Sequence, residues 1–171
     1  SNITLKDLNA VSVSKGPGSY TGLRIGVSTA KGLCYALNIP LIAIDTLQII
    51  AKKIKIDSGI IQPMIDARRM EVFTASFSAD YKLIGETTAL ILDENAFKDL
   101  NGPIHFLGDG AFKSEEILQN DYFIFHSELK YPSAKEMVSL SFDAFNEAKF
   151  EDVAYFEPYY LKDFMLTTKK K

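Results

Sequence analysis

Residues 14–26 read SKGPGSYTGLRIG, and this glycine-rich stretch joins a strand pattern to a helix pattern. Residues 10–14 alternate apolar and polar side chains, which is typical of a half-buried strand. Residues 21–37 are predicted to form a helix that ends near Asn38, because Pro40 follows. Glycines at such a junction permit positive φ angles, and the free N–H groups at a helix start can bind an anion. The stretch therefore predicts a strand, a tight loop and a helix in succession.

Strand and helix patterns alternate along the rest of the chain. Pro63 lacks an N–H group, which places its strand near a sheet edge or a bulge. Ser133 and Glu136 have the spacing of a capping box, and the helix that begins there is expected to be the longest. A turn at residues 57–59 is the predicted boundary between two lobes, 1–57 and 58–171. Strands are predicted at 41–44, 60–66, 70–78, 81–92, 104–107 and 122–126, and helices at 46–53, after Asp93, at 112–119 and from 133 onward.

The order of these elements predicts an α/β fold with two lobes. The second lobe reads βββαβαβα, with a mixed sheet whose first three strands form an antiparallel meander. That order is the ribonuclease H-like arrangement of actin, sugar kinases and Hsp70. The first lobe reads only βαβα, so we expect it to be truncated and to leave a sheet edge open. A chain that begins with Ser1 and Asn2 instead of methionine agrees with this expectation.

Composition excludes several classes of protein. The 171 residues are 47% hydrophobic and 24% charged, the mixture of a globular protein. The net charge of −3 argues against a long basic face for nucleic acid. No apolar run reaches the ~20 residues of a membrane helix, and Lys6 and Asp7 interrupt any signal peptide. The single cysteine, Cys34, excludes a disulfide framework and fits a cytoplasmic location.

The glycine stretch matches none of the common catalytic or nucleotide-binding loops. It lacks the spacing of the Walker A loop, of the dinucleotide-binding G-x-G-x-x-G and of the G-x-S-x-G nucleophile elbow. A structural turn and a phosphate site both remain open. The candidate residues of this loop are Gly16, Pro17, Gly18, Ser19, Thr21 and Arg24.

Residues 16–33, GPGSYTGLRIGVSTAKGL, closely resemble the signature of the TsaB family, also called YeaZ. The resemblance continues in MIDARRMEVF at 64–73, FLGDGA at 106–111, YPSA at 131–134 and EPYYL at 157–161. It covers nearly the whole chain. The family's first strands and first helix have no counterpart here.

This resemblance implies a cytoplasmic, non-catalytic subunit without a cofactor or a metal. Members of the family dimerise with the paralogue TsaD, which holds the metal and the transfer site, and work with the ATPase TsaE. The product is N6-threonylcarbamoyladenosine beside the anticodon of tRNAs that read codons beginning with A. The resemblance implies a heterodimer with TsaD or a homodimer, with tRNA contacted only through the complex.

Two enzyme hypotheses compete with the subunit. A glycoprotease-type peptidase needs an activated nucleophile, but Cys34 lies on the apolar stripe of its helix, and no motif links it to His105 or His126. Those histidines lie on separate predicted strands, so they also lack the helical spacing of a metal pair. An ATP-binding actin-like kinase is the stronger rival, because residues 108–110, Gly-Asp-Gly, follow a strand and precede a helix.

The helix at 21–37 is the predicted partner interface. At ~100° per residue its apolar and small side chains cover most of the circumference, so more than one side must be covered. A partner's helix and an internal helix are the two alternatives. The interface residues are predicted to be Gly22, Leu23, Gly26, Val27, Thr29, Ala30 and Leu33.

A charged hairpin turn leaves two interpretations open. Asp66, Arg68, Arg69 and Glu71 lie at the end of the first hairpin of the meander. They form either a solvated turn with ion pairs or a contact with a partner or tRNA.

Overall fold

The computed structural model describes residues 3–162, which form two β-sheets with helices between and around them. No helix within that range is long and apolar enough to cross a membrane. In chain order the elements are a 3-10 turn (Leu5–Asp7), β1 (Val11–Gly16), α1 (Tyr20–Leu37), β2 (Leu41–Asp45), α2 (Thr46–Ala51), β3 (Ile60–Asp66), β4 (Glu71–Ser78), β5 (Leu83–Ile91), β6 (Ile104–Leu107), α3 (Asp109–Ser114), β7 (Phe123–His126) and α4 (Ala134–Asn146).

The first sheet consists of β1 and β2, paired in parallel. Helix α1 covers one face, where Ala30 and Cys34 pack with Leu41. Helices α2 and α4 cover the other face. Successive side chains of β2 point to opposite sides of the sheet, so β2 contributes to the packing on both faces. Among residues 3–162, β1 has no strand partner other than β2. On the α2–α4 face, Ile42, Ile44 and Ile49 pack with Met137, Leu140 and Ala144.

The second sheet has the order β5-β4-β3-β6-β7 and is mixed. The first three strands pair in antiparallel fashion, while β3, β6 and β7 are parallel. This confirms the α/β class, the mixed sheet and the antiparallel meander. The face toward α2 is built from Leu47, Ile50 and Ala51 of that helix together with Ile61, Phe77 and Leu107.

The short helix α2 therefore lies between the two sheets. Asp45 caps it by accepting hydrogen bonds from the backbone N–H groups of Leu47, at 2.9 Å, and Gln48, at 3.3 Å. Ile49 packs against the first sheet, while Leu47 and Ile50 pack against the second. Burial raises the pKa of Asp45, and the two backbone N–H groups act in the opposite direction.

The prediction of an edge position for Pro63 is wrong, because β3 is the central strand of the second sheet. The alternative, a bulge, is not found either, because β3 and β4 advance by equal numbers of residues between Ile61 and Met64. The register of β3 with β4 skips Gln62 and Pro63, so no ladder hydrogen bond is required from the proline nitrogen. The hydroxyl of Thr74 donates to the Pro63 carbonyl at 2.8 Å and satisfies that acceptor.

Three helix predictions need correction. The helix after Asp93 is replaced by turns with i to i+3 hydrogen bonds, such as Leu100 N–H to Phe97 O at 3.1 Å. Helix α3 begins at Asp109 and ends at Ser114, earlier than the predicted 112–119. Helix α4 has 13 residues and α1 has 18, so α4 is not the longest.

The start of α4 is capped, but not by a capping box. The Ser133 hydroxyl accepts from the Lys135 N–H at 3.3 Å, and the Glu136 carboxylate bonds to that hydroxyl at 2.5 Å. In a capping box the carboxylate would bond to the backbone N–H of the cap residue. Helix α4 follows β7 in the chain, yet it packs on β2 of the first sheet.

Candidate functional site

The glycine loop between β1 and α1 is tied to the start of α2. The Gly16 N–H donates to the Thr46 hydroxyl at 3.1 Å, and the hydroxyls of Ser14 and Thr46 are 2.6 Å apart. The Ser19 hydroxyl caps α1 by accepting from the Gly22 N–H at 3.5 Å. Of the predicted loop residues, Gly16 and Pro17 are buried, Gly18 is half-buried, and Ser19, Thr21 and Arg24 are exposed.

A C-terminal segment, residues 151–162, crosses the first sheet and covers this loop; we call it the strap. The strap begins where the Glu151 N–H donates to Leu41 O at 2.9 Å, beside the outer edge of β2. It then reaches the loop, where the Tyr159 N–H donates to Lys15 O at 2.7 Å. Two segments that resemble one family, at 16–33 and 157–161, are thus in direct contact.

Position 16, where the strap contacts the glycine loop, requires a glycine because of its backbone conformation and the close approach of the strap. Its φ is +114°, which L side chains rarely adopt, and a Cβ there would lie 2.5 Å from Tyr159 O. Gly18 has no such constraint, because a Cβ there would meet nothing within 4 Å. The first glycine of the motif therefore serves close packing of the backbone rather than an anion.

Aromatic rings and an arginine hold the end of the strap on α1. The rings of Tyr20 and Tyr160 stack with centroids 4.6 Å apart and planes at 9°. The Arg24 Nε donates to the Tyr160 hydroxyl at 3.2 Å, and its guanidinium lies 5.9 and 5.8 Å from the two ring centroids. Beyond them, Lys162 forms an ion pair with Glu71 of β4. Arg24, a predicted loop ligand, is thus engaged in attaching the strap.

A cleft of about 420 Å³ lies between the glycine loop and the second sheet. The second glycine motif, residues 108–110, forms part of its far side. A Cβ on Gly108, at φ +100°, would lie 2.0 Å from Met64 O, and one on Gly110 would lie 2.9 Å from the Val72 side chain. The Asp109 carboxylate accepts from the Asp66 N–H at 2.9 Å. Packing against β3 and β4 thus accounts for the three residues on which the kinase hypothesis rests.

The predicted interface residues of α1 divide between two faces. Leu23, Val27 and Ala30 are buried by the chain's own residues and are not accessible to a partner in this structure. Gly26 and Leu33 are half-buried, whereas Gly22 and Thr29 are exposed. The physical reason is the helical period, which turns every third or fourth residue toward the first sheet.

Most residues on the exposed face of α1 opposite its buried side are small or apolar, and we call this face the α1 strip. Ile25 is 63% exposed, and Tyr35, at the border of the strip, is 85% exposed. A Cβ on Gly32 would meet nothing within 4 Å, whereas one on Gly26 would contact Val13 at 3.7 Å. The strip lies opposite the buried side and consists of Gly22, Ile25, Thr29, Gly32 and Ala36.

The two histidines, which lie on separate strands, form a pair. His105 Nδ1 and His126 Nε2 are 3.0 Å apart across β6 and β7. Burial lowers the pKa of His105, and the nearby His126 lowers it further. Sequence reasoning missed the pair because nothing in the spacing reveals which strands become neighbours.

No nucleophile accompanies these histidines. Cys34 is buried on α1, its thiol donates to Pro40 O at 3.4 Å, and burial raises its pKa. A reactive cysteine requires the opposite shift. Within residues 3–162 no group of three or more His, Cys, Asp or Glu side chains is arranged to hold a metal ion.

Comparisons with known proteins match the chain to a TsaD family model and to TsaB relatives. The family described as "TsaD: tRNA N6-adenosine threonylcarbamoyltransferase" matches residues 1–170. The tRNA threonylcarbamoyladenosine biosynthesis protein TsaB of Escherichia coli K12 is 30% identical, over 95% of this chain and 74% of that protein. TsaB of Bacillus subtilis 168 is 33% identical, over 67% of this chain and 52% of its own length, so the match spans about half of that relative.

Solved structures share the fold. YeaZ from Pseudomonas aeruginosa superposes with a TM-score of 0.80 at 24% identity, over 93% of this chain and 76% of that one. A second structure, of a P. aeruginosa protein with similarity to peptidase YEAZ, gives the same TM-score and identity. The chain therefore shares its overall fold with these structures.

Proposed function

Since the chain belongs to the TsaB (YeaZ) family, we propose that it serves in the biosynthesis of N6-threonylcarbamoyladenosine in tRNA as a non-catalytic subunit. In this proposal the TsaD paralogue supplies the transfer site and TsaE is a further partner. The modified nucleoside is the adenosine beside the anticodon of tRNAs that read codons beginning with A. The complex works in the cytoplasm.

The α1 strip carries the proposal. Ile25 and Tyr35 present apolar and aromatic surface to solvent, although α1 already buries its other side in the first sheet. Gly22 and Gly32 keep the strip low, which permits the axis of a second helix to approach closely. Exposed apolar surface on a rigid helix is typical of a protein-binding site. We propose that a helix of the TsaD paralogue packs there.

The chain's own polar groups support a non-catalytic role. Cys34 is buried with a raised pKa, and close packing explains Gly16, Gly108 and Gly110. Arg24 and Lys162 attach the strap. A peptidase would need an accessible nucleophile beside a base, and a kinase would need loops free to hold phosphate.

A substitution at Gly32 tests the proposed interface. Gly32→Leu adds a side chain on the α1 strip, where overpacking against a partner costs about 1–3 kcal/mol. The dissociation constant for the TsaD paralogue should therefore rise by roughly 5- to 150-fold. The folded chain itself should be no less stable, because leucine is a better helix former than glycine by about 0.8–1 kcal/mol.

The measurement is a titration of the purified chain with the paralogue, followed by reconstituted modification of tRNA. Ser139→Leu, at an exposed position of α4, is the matched control and should bind like the parent chain. If Gly32→Leu binds the paralogue with unchanged affinity, the strip is not the interface. If the parent chain neither binds nor supports modification, the proposed function is wrong.

A further inference from the structure

The turn between β3 and β4 has an unusual backbone. Arg68 has φ +71° and Arg69 has φ +52°, so two consecutive residues with side chains occupy the left-handed region. Residues at positive φ in turns are normally Asn, Asp or Gly. Such conformations persist where the surroundings fix them, and they cluster at sites of function.

Contacts from α3 and β3 hold this turn in place. The Asp66 carboxylate accepts from the Arg68 N–H at 2.8 Å. The Lys113 ammonium pairs with that carboxylate and donates to Arg69 O at 2.9 Å and Glu71 O at 2.7 Å. The backbone is thereby fixed, while both arginine side chains are exposed at the tip.

The carboxylates around the turn are already engaged. Asp66 pairs with Lys113, Glu71 pairs with Lys162, and Asp109 accepts from a backbone N–H. None of the ion pairs found within residues 3–162 includes Arg68 or Arg69. The Arg68 charge acts on the nearby Asp66 carboxylate, but the two do not form an ion pair. Both guanidinium groups are exposed, and their forked donors can bind an anion.

An exposed aromatic ring lies on the same short helix that fixes the turn. Phe112 precedes Lys113 and is 57% exposed, and the Lys130 ammonium lies 4.5 Å from its ring centroid. A ring beside cations suits unpaired RNA, because bases stack on the ring while the cations bind phosphates. An acidic protein surface would use the charges but would leave the ring without a role.

We propose that Arg68, Arg69, Phe112 and Lys130 form a surface, here called the turn surface, that binds unpaired nucleotides of RNA. The two arginines bind phosphate oxygens and Phe112 stacks on a base. This rests on the function proposed above, in which the complex acts on tRNA, and adds that this chain contacts RNA directly.

The test is fluorescence anisotropy of the purified chain with a labelled RNA stem–loop, at about 50 to 200 mM salt. The variant Arg68→Asn/Arg69→Gly removes both charges and installs residues that tolerate a positive φ, so the fold is retained or stabilised. Lys82→Ala/Lys149→Ala removes the same charge from two exposed lysines elsewhere and is the matched control.

The arginine variant should bind the RNA about tenfold or more weakly, with a salt slope reduced by about 0.7 for each lost phosphate contact. Phe112→Leu should lower the affinity several-fold and leave the slope unchanged, because stacking releases no counterion. The lysine control should match the parent chain.

Three results would overturn the inference. The first is that the parent chain does not bind RNA. The second is that the arginine variant binds RNA with the same affinity as the parent chain. The third is that the arginine variant loses affinity for the TsaD paralogue and keeps its affinity for RNA. None of these bears on the proposed function, which fails only if the parent chain neither joins the paralogue nor supports tRNA modification.

Discussion

Replacing Gly16 by alanine should detach the strap from the glycine loop. The φ of +114° is strained for any L side chain by about 1–3 kcal/mol. The new Cβ would also lie 2.5 Å from Tyr159 O, so the strap must move. The Tyr159–Lys15 hydrogen bond would then be lost, which costs about 0.5–1.5 kcal/mol. Together these effects lower the free energy of unfolding by about 1.5–4.5 kcal/mol.

Thermal unfolding measures this loss directly. For a domain of this size 1 kcal/mol corresponds to about 2–4 °C, so Gly16→Ala should lower Tm by roughly 3–18 °C. Hydrogen exchange should also quicken at the Tyr159 N–H, because its acceptor is displaced.

Gly18→Ala is the matched control in the same loop. A Cβ on Gly18 meets nothing within 4 Å, so the Tm of Gly18→Ala should equal that of the parent chain or exceed it by up to about 4 °C. If Gly16→Ala and Gly18→Ala give the same Tm and the same exchange at the strap, close packing does not explain Gly16.

Two further predictions concern ionisation and chemistry. The pKa of His105 in the folded chain lies below its ordinary value of 6.5. On acidification the unfolded chain therefore binds a proton at this histidine more readily than the folded chain does, and the free energy of unfolding falls. His105→Asn should flatten this decline in chemical unfolding between about pH 7.5 and 5.5, and an unchanged slope would exclude His105 as its source. The purified chain should neither hydrolyse ATP nor hold a stoichiometric metal, since the glycines of residues 108–110 pack against β3 and β4 and the paired histidines provide only two donors. Phosphate release and elemental analysis check this, and one tightly bound zinc or iron per chain would contradict it.

Local patterns were sufficient to predict most strands. Strand β6 begins and ends as predicted, and the meander from β3 to β5 follows from short connections between alternating segments. The helix after Asp93 was wrong because a few polar residues with a cap signal also suit a series of turns.

Contacts between distant segments were beyond local patterns. Helical periodicity placed Leu23, Val27, Ala30 and Cys34 on one stripe of α1, and this stripe is buried. Periodicity does not reveal which of the two apolar faces of α1 the first sheet covers. The predicted partner interface therefore includes Leu23, Val27 and Ala30, which the first sheet buries. The strap, the histidine pair and the packing of α4 on β2 likewise join segments whose order in the chain gives no sign of contact.

The packing of α4 and the strap on the first sheet has a consequence during synthesis on the ribosome. β1, α1 and β2 emerge before α4, which completes the cover of β2. At about 5–20 residues per second, the gap between β2 and α4 leaves Ile42 and Ile44 without their α4 contacts for roughly 4–18 s. Contacts of such long sequence separation also form slowly. The first sheet therefore reaches its native packing only after translation of α4.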